Sequence, residues 1–169
     1  MRNLEYKARI EAPSLYEARA LALGAKATAD LRQADTYFTT PNGRLKLREI
    51  DGEPGELIAY QRDEQATDRA SDYEVFRTRE AGALRDLLAT ALGVLATVRK
   101  RRNLLVLDGA RIHLDNVEGL GTFLELEVPV HGDEAAASKT INWLLGELGL
   151  TWAECIRASY LDLALEAKQ

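Results

Sequence analysis

Cysteine is all but missing: Cys155 is the single thiol in 169 residues. One thiol closes no internal disulfide, and a lone cysteine makes no zinc site, so neither kind of staple is expected. Cys155 reads as a small buried hydrophobe. Positive charge is also short overall, with 22 Lys and Arg against 27 Asp and Glu and a net charge of −5. Proteins that grip nucleic-acid polymers are usually basic, so no such partner is expected. No stretch is long and apolar enough to span a bilayer. No apolar run follows the charge at Arg2, so no signal peptide is visible and a cytoplasmic, membrane-free location is expected. Internal repeats, low-complexity tracts and interdomain linkers are missing too.

What is present is an ordinary globular balance, 29% charged and 46% hydrophobic residues, in a length that fits one domain over residues 1–169. The first segment alternates, with Asn3, Glu5, Lys7 and Arg9 on one face and Leu4, Tyr6, Ala8 and Ile10 on the other. Pro13 breaks it, and Ser14 with Glu17 has the spacing of a capping box, predicting a helix to about Leu31. Strands are predicted at 33–38, 44–50, 57–62, 73–78, 97–102, 104–107, 111–117 and 123–130, with helices at 83–92, 134–148 and 154–167. The last helix carries Ile156, Tyr160, Leu161 and Leu163 as a core stripe. Many short antiparallel strands with turn signals predict a barrel or a sandwich, with helices outside.

The informative feature is which strand faces carry charge. One face bears Glu5 and Lys7; others bear Arg44, Lys46 and Arg48, then Arg62, then Lys100 and Arg102, then Arg111, His113 and Asp115, then Glu125 and Glu127. Opposite them lie apolar faces such as Leu45 and Leu47, Ile112 and Leu114, and Leu124, Leu126 and Val128. Any one such strand fits a solvated sheet face. The set is different, because solvated faces mix signs to limit repulsion. Here three cations share one strand face, while carboxylates gather in the first strand and the last two. Segregated charge of this kind calls for a neutralising ligand. A polyphosphate with bound metal fits, since phosphate oxygens take Arg forks and Lys charges, and Mg²⁺ or Mn²⁺ takes carboxylate and phosphate oxygens.

The same residues carry a resemblance. Asn3-Leu4-Glu5-Tyr6-Lys7 is similar to a Glu-x-Glu-x-Lys signature; Gly43 to Arg48, Leu57 to Arg62, Val98 to Arg102, and Ile112 to Glu127 with Gly119 and Gly121 follow in order. Nearly the whole chain resembles the CYTH superfamily, the triphosphate tunnel metalloenzymes, and within it the class IV adenylyl cyclase branch. The resemblance implies an α+β fold with an eight-stranded antiparallel closed β-barrel, a tunnel with a polar interior and helices outside. It implies Mg²⁺ or Mn²⁺ held by Glu5, Glu125 and Glu127 with Asp115, and catalysis by Glu5, Lys7, Glu125 and Glu127. It implies a phosphate path lined by Lys7, Arg44, Lys46, Arg48, Arg62, Lys100, Arg102 and Arg111. One departure stands out: the first signature Glu is Asn3, which brings a carbonyl oxygen but no charge.

The expected activity is metal-dependent phosphoryl transfer on a small-molecule linear triphosphate, either hydrolysis or cyclisation of ATP. The alternative is a weakly catalytic or non-catalytic binding module for a polyphosphate or phosphorylated ligand, motivated by Asn3; a scaffold barrel is the third reading. A monomer or homodimer is expected. His113 shares a face with Arg111 and Asp115, so ligand contact and a hydrogen-bonded barrel histidine are equally compatible with its position. Trp143, Trp152, Tyr37, Tyr60 and Tyr73 read as packing residues.

Overall fold

The structure is a computed structural model and describes residues 3–61 and 72–167. In chain order the elements are β1 (Asn3–Arg9), α1 (Pro13–Ala22), β2 (Lys26–Phe38), β3 (Arg44–Ile50), β4 (Gly55–Gln61), β5 (Asp72–Thr78), α2 (Ala81–Leu92), β6 (Val94–Leu107), β7 (Ala110–Val117), β8 (Gly121–Pro129), α3 (Glu134–Leu148) and α4 (Tyr160–Glu166), with a 3₁₀ turn at Trp152–Glu154. No helix among the described residues is long and apolar enough to cross a membrane.

The eight strands of the described residues join one antiparallel sheet in the order β1-β8-β7-β6-β2-β3-β4-β5. The long strands β2 and β6, 13 and 14 residues, pair along most of their length and form the spine. The expected closed barrel is corrected here: β1 and β5 are the two ends of the sheet, which curls into an open half-barrel. The physical reason lies in the concavity. There α4 and the segment leading into it reach from the β1 side, where the Lys7 ammonium donates to the Ala158 carbonyl at 3.1 Å, to β3, where Arg44 meets Asp162. Side-chain contacts to α4 and to the segment before it therefore join the two halves where strand pairing was expected. The helices are not all outside either: α1, α2 and α3 pack on the convex face, and α4 on the concave one.

The alternation read from the sequence sorts the two faces. Leu4, Tyr6 and Ala8 of β1, Ile112 and Leu114 of β7, and Leu124, Leu126 and Val128 of β8 turn to the convex side. They bury against Ile141, Leu144 and Leu148 of α3 and Ala20 of α1. Each fully buried large aliphatic contributes about 1.5–3 kcal/mol. A smaller apolar cluster of Tyr37, Ala96, Val98, Val117, Phe123, Tyr160 and Leu161 sits on the concave side, under α4.

Several element boundaries differ from expectation, among them the start of β2 at Lys26. The first helix stops at Ala22, because Gly24 at φ +95° turns the chain and the Ala25 amide donates back to the Ala20 carbonyl. Its start is not the expected capping box: Ala12 precedes it without a side-chain cap, and Glu17 accepts instead from the Asn103 side chain at 2.8 Å. The two strands expected at 97–102 and 104–107 are one continuous β6. The final helix is shorter than expected, since Ser159 caps it and its side chain accepts from the Asp162 amide in a capping box.

Candidate functional site

Cross-strand register decides what shares the concave face. Glu5 stands opposite Glu127 and Lys7 opposite Glu125; Arg111 pairs with Glu127, His113 with Glu125, Arg102 with Asp115, and Arg48 with Asp35. Because paired residues point the same way, these side chains and Arg44, Lys46 and Lys100 line one surface. The described site residues that the sequence singled out are therefore brought to one face. Arg62 lies outside the described residues. Arg99 and Arg101 alternate to the convex side, where Arg101 pairs with the exposed Asp30. A groove of about 880 Å³ beside α2 lies on that convex side, lined in part by Arg32, Glu49, Arg85, Arg99 and Arg101. Its charges are mixed in sign, and it stands apart from the concave cluster.

The concave charges form three groups. Toward β3, Asp35 accepts from Lys46 at 2.9 Å and from Arg48 at 3.0 Å through both carboxylate oxygens. Burial works to raise the Asp35 carboxyl, but Arg48 and Lys46 outweigh it and hold it well below the usual carboxylate range. Burial, aided by Arg48, pulls the Lys46 ammonium down to about 8 against the opposing pull of Asp35. In the middle, Asp115 accepts from Lys100 at 3.0 Å, from Arg102 at 2.6 Å and from the Tyr160 hydroxyl at 3.0 Å. The ammonium groups of Lys7 and Lys100 also sit over the Tyr160 ring, at 4.2 and 4.6 Å from its centre.

Toward β1, the Glu125 carboxylate lies 3.1 Å from Lys7 and 2.6 Å from Arg102, and Glu127 lies 2.6 Å from Arg111. Burial raises both carboxyls, yet the cations beside them more than reverse it, Lys7 foremost for Glu125 and Arg111 and Arg102 for Glu127. His113 is 3% exposed, and its Nδ1 has no hydrogen-bond partner. An orphaned buried polar atom costs about 1–3 kcal/mol and calls for an explanation. Burial, with Arg102 nearby, lowers its pKa and favours the neutral imidazole. Asn3, 6% exposed, lies on the same face at the start of β1.

Internal partners answer much of the charge segregation seen in the sequence. Asp35 serves the β3 cations, and Arg44 donates to Ser159 at 2.7 Å and to Asp162 at 2.9 Å. The inference that the cations need a ligand for neutrality is corrected accordingly. The reason is that strand alternation shows which residues share a face but not which acids arrive from other elements. Asp35 and the α4 residues Tyr160 and Asp162 were missed as site residues. Asp35 shares strand parity with Gln33 and Tyr37, and Ser159 with Asp162 has capping-box spacing, so both signals were present.

No three His, Cys, Asp or Glu side chains among the described residues stand together as a ready-made cation cage. Glu125, Glu127 and the unsatisfied His113 Nδ1 lie together on the concave face, with Glu5 across the β1–β8 ladder, and are the donors that would hold a divalent ion there. Asp115 is linked to Glu125 through Arg102, which donates to both carboxylates, and it also accepts from Lys100 and Tyr160.

The family model of the CYTH domain matches residues 1–160. The PH1012 protein of Pyrococcus horikoshii shares the fold at a TM-score of 0.84 and 24% identity, covering 95% of this chain and 98% of that one. A Vibrio parahaemolyticus protein provisionally designated an adenylate cyclase gives 0.77 and 19%, covering 96% and 97%. HpAC1 of Hippeastrum, described as having a dominant triphosphatase activity, gives 0.68 and 19%, covering 99% and 97%. Comparison with curated proteins gives no match.

Proposed function

The chain belongs to the CYTH domain family, and from that premise we propose that it is a divalent-metal-dependent enzyme acting on a linear triphosphate bound in the half-barrel. The observation that carries this reading is the meeting on one concave face of Lys46, Arg48, Lys100 and Arg102 with the partly buried carboxylates of Glu125 and Glu127. Guanidinium forks and ammonium charges stabilise the oxygens of a phosphoryl group in transfer, most strongly where water is excluded. Asp35 and Asp115 hold these cations in fixed orientations, so little reorganisation is needed when phosphate arrives. The phosphate path runs along Lys7, Arg44, Lys46, Arg48, Lys100, Arg102 and Arg111. A divalent ion held by Glu5, Glu125 and Glu127 supplies Lewis-acid stabilisation of phosphoryl oxygens when bound. Lys7, between Glu125 and the Ala158 carbonyl, places a positive charge beside those carboxylates.

Hydrolysis of the terminal phosphate is the favoured reaction, because HpAC1 of Hippeastrum is described by a dominant triphosphatase activity. Product analysis tests it. The protein is incubated with Mg²⁺ or Mn²⁺ and either tripolyphosphate or ATP, and products are resolved by ³¹P NMR. Orthophosphate with pyrophosphate or ADP is expected; cyclic AMP with pyrophosphate would instead make it a cyclase. A second reading, a binding module with little turnover, is favoured by Asn3 in place of a carboxylate. Triphosphate binding without product, and activity gained by Asn3→Glu, would establish it.

A further inference from the structure

The unsatisfied nitrogen of His113 is not part of the phosphate path. His113 lies on β7 opposite Glu125, and its Nδ1 is 3.8 Å from Glu125 Oε2 and 3.8 Å from Glu127 Oε1. Both separations are too long for a hydrogen bond. They are of the size that a cation bridges when its bonds to nitrogen and oxygen are about 2.0–2.2 Å each. Nδ1 has no other partner, and the side chain is buried. The same site has lost a charge at Asn3, so a neutral nitrogen donor would restore ligand number without restoring charge.

We propose that His113 Nδ1 is a direct ligand of the divalent metal, making this a mixed nitrogen–oxygen centre that favours Mn²⁺ over Mg²⁺. The inference rests on metal binding at Glu125 and Glu127. Carboxylate and water oxygens suit Mg²⁺, whereas an imidazole shifts preference toward transition metals, with Mn²⁺ at the weak end of that series. His113 is well placed to be recognised, because the chain has only 2 histidines and the other, His131, is exposed beyond the end of β8.

The test uses untagged full-length protein with Mn²⁺ and tripolyphosphate, read by pulsed electron paramagnetic resonance for ¹⁴N coupling to the bound ion. Coupling of the strength of a directly bound imidazole is expected in the unaltered protein and in His131→Ala. It should vanish in His113→Gln, whose calorimetric Mn²⁺ affinity should fall about tenfold while Mg²⁺ affinity changes less than about twofold. Mn²⁺ bound without nitrogen coupling would overturn the ligand role of His113 and leave the carboxylate metal site standing. No Mn²⁺ binding at all would overturn both.

Discussion

Lys100 and Arg101 are neighbours in sequence with opposite fates. Lys100 is 8% exposed and hydrogen-bonded to Asp115, while Arg101 is solvent-facing on Asp30. Lys100→Ala and Arg48→Ala should each weaken tripolyphosphate binding by about 1.5–3 kcal/mol, the range for charge-assisted hydrogen bonds. Arg99→Ala and Arg101→Ala should change it little, and equal effects in calorimetric titration from both pairs would sink the facing assignment. Lys46 gives a pH dependence. Its free-state pKa, near 8, is below the usual lysine value, and a bound polyanion raises it again. Affinity should thus be full below about pH 8 and fall as pH rises through it, with Lys46→Arg flattening that fall. Alternation made these cations legible in the sequence. Asp35 was not, because its importance comes from Lys46 and Arg48 of another strand, a pairing that no single strand encodes.

The element with the largest leverage is α4. It is only 7 residues long, too short to be stable alone. It is held by the Ser159–Asp162 capping box, by Tyr160 on Asp115, and by Asp162 on Arg44. Asp162 holds the Arg44 guanidinium that the proposed phosphate path would use. Asp162→Ala should raise tripolyphosphate affinity about three- to tenfold and lower folding stability by about 1 kcal/mol through the lost cap. Weaker binding in calorimetry, with stability unchanged in urea, would contradict both halves. The family match ends at residue 160, which is also where this helix begins. The sequence showed a helix here but placed its start too early, because apolar spacing from Ile156 onward continues through a non-helical stretch. Gly24 is the converse case: its turn was available as a stop signal for α1, yet the apolar pattern was followed across it.

At the scale of the molecule, the eight strands and the separation of a charged from an apolar face were legible, and closure was not. Period-two alternation orients side chains but says nothing of whether β1 meets β5. The acids of the concave face also set the pH response of the whole fold. Asp35, Asp115, Glu125 and Glu127 all have lowered pKa values. Their stabilising contribution is complete above the ordinary carboxylate range of about 4 and is lost as pH falls through the lower folded values. His113, also lowered, begins to weaken the fold as pH drops below about 6.5. Urea midpoints should therefore hold near neutrality, slip between pH 6.5 and 5, and drop steeply below 4; a flat profile to pH 3 would argue that these acids are not buried with their partners. The ends of the sheet have a consequence for biosynthesis. The Lys7–Ala158 contact spans 151 residues of sequence, and the Tyr6–Thr151 contact spans 145. A ribosome adding about 5–20 residues per second needs roughly 8–30 s to deliver the partners of the first strand. Glu5 and Lys7 gain β8 first and the segment leading to α4 only afterwards, so this end of the concave face is among the last parts of the protein to come into being.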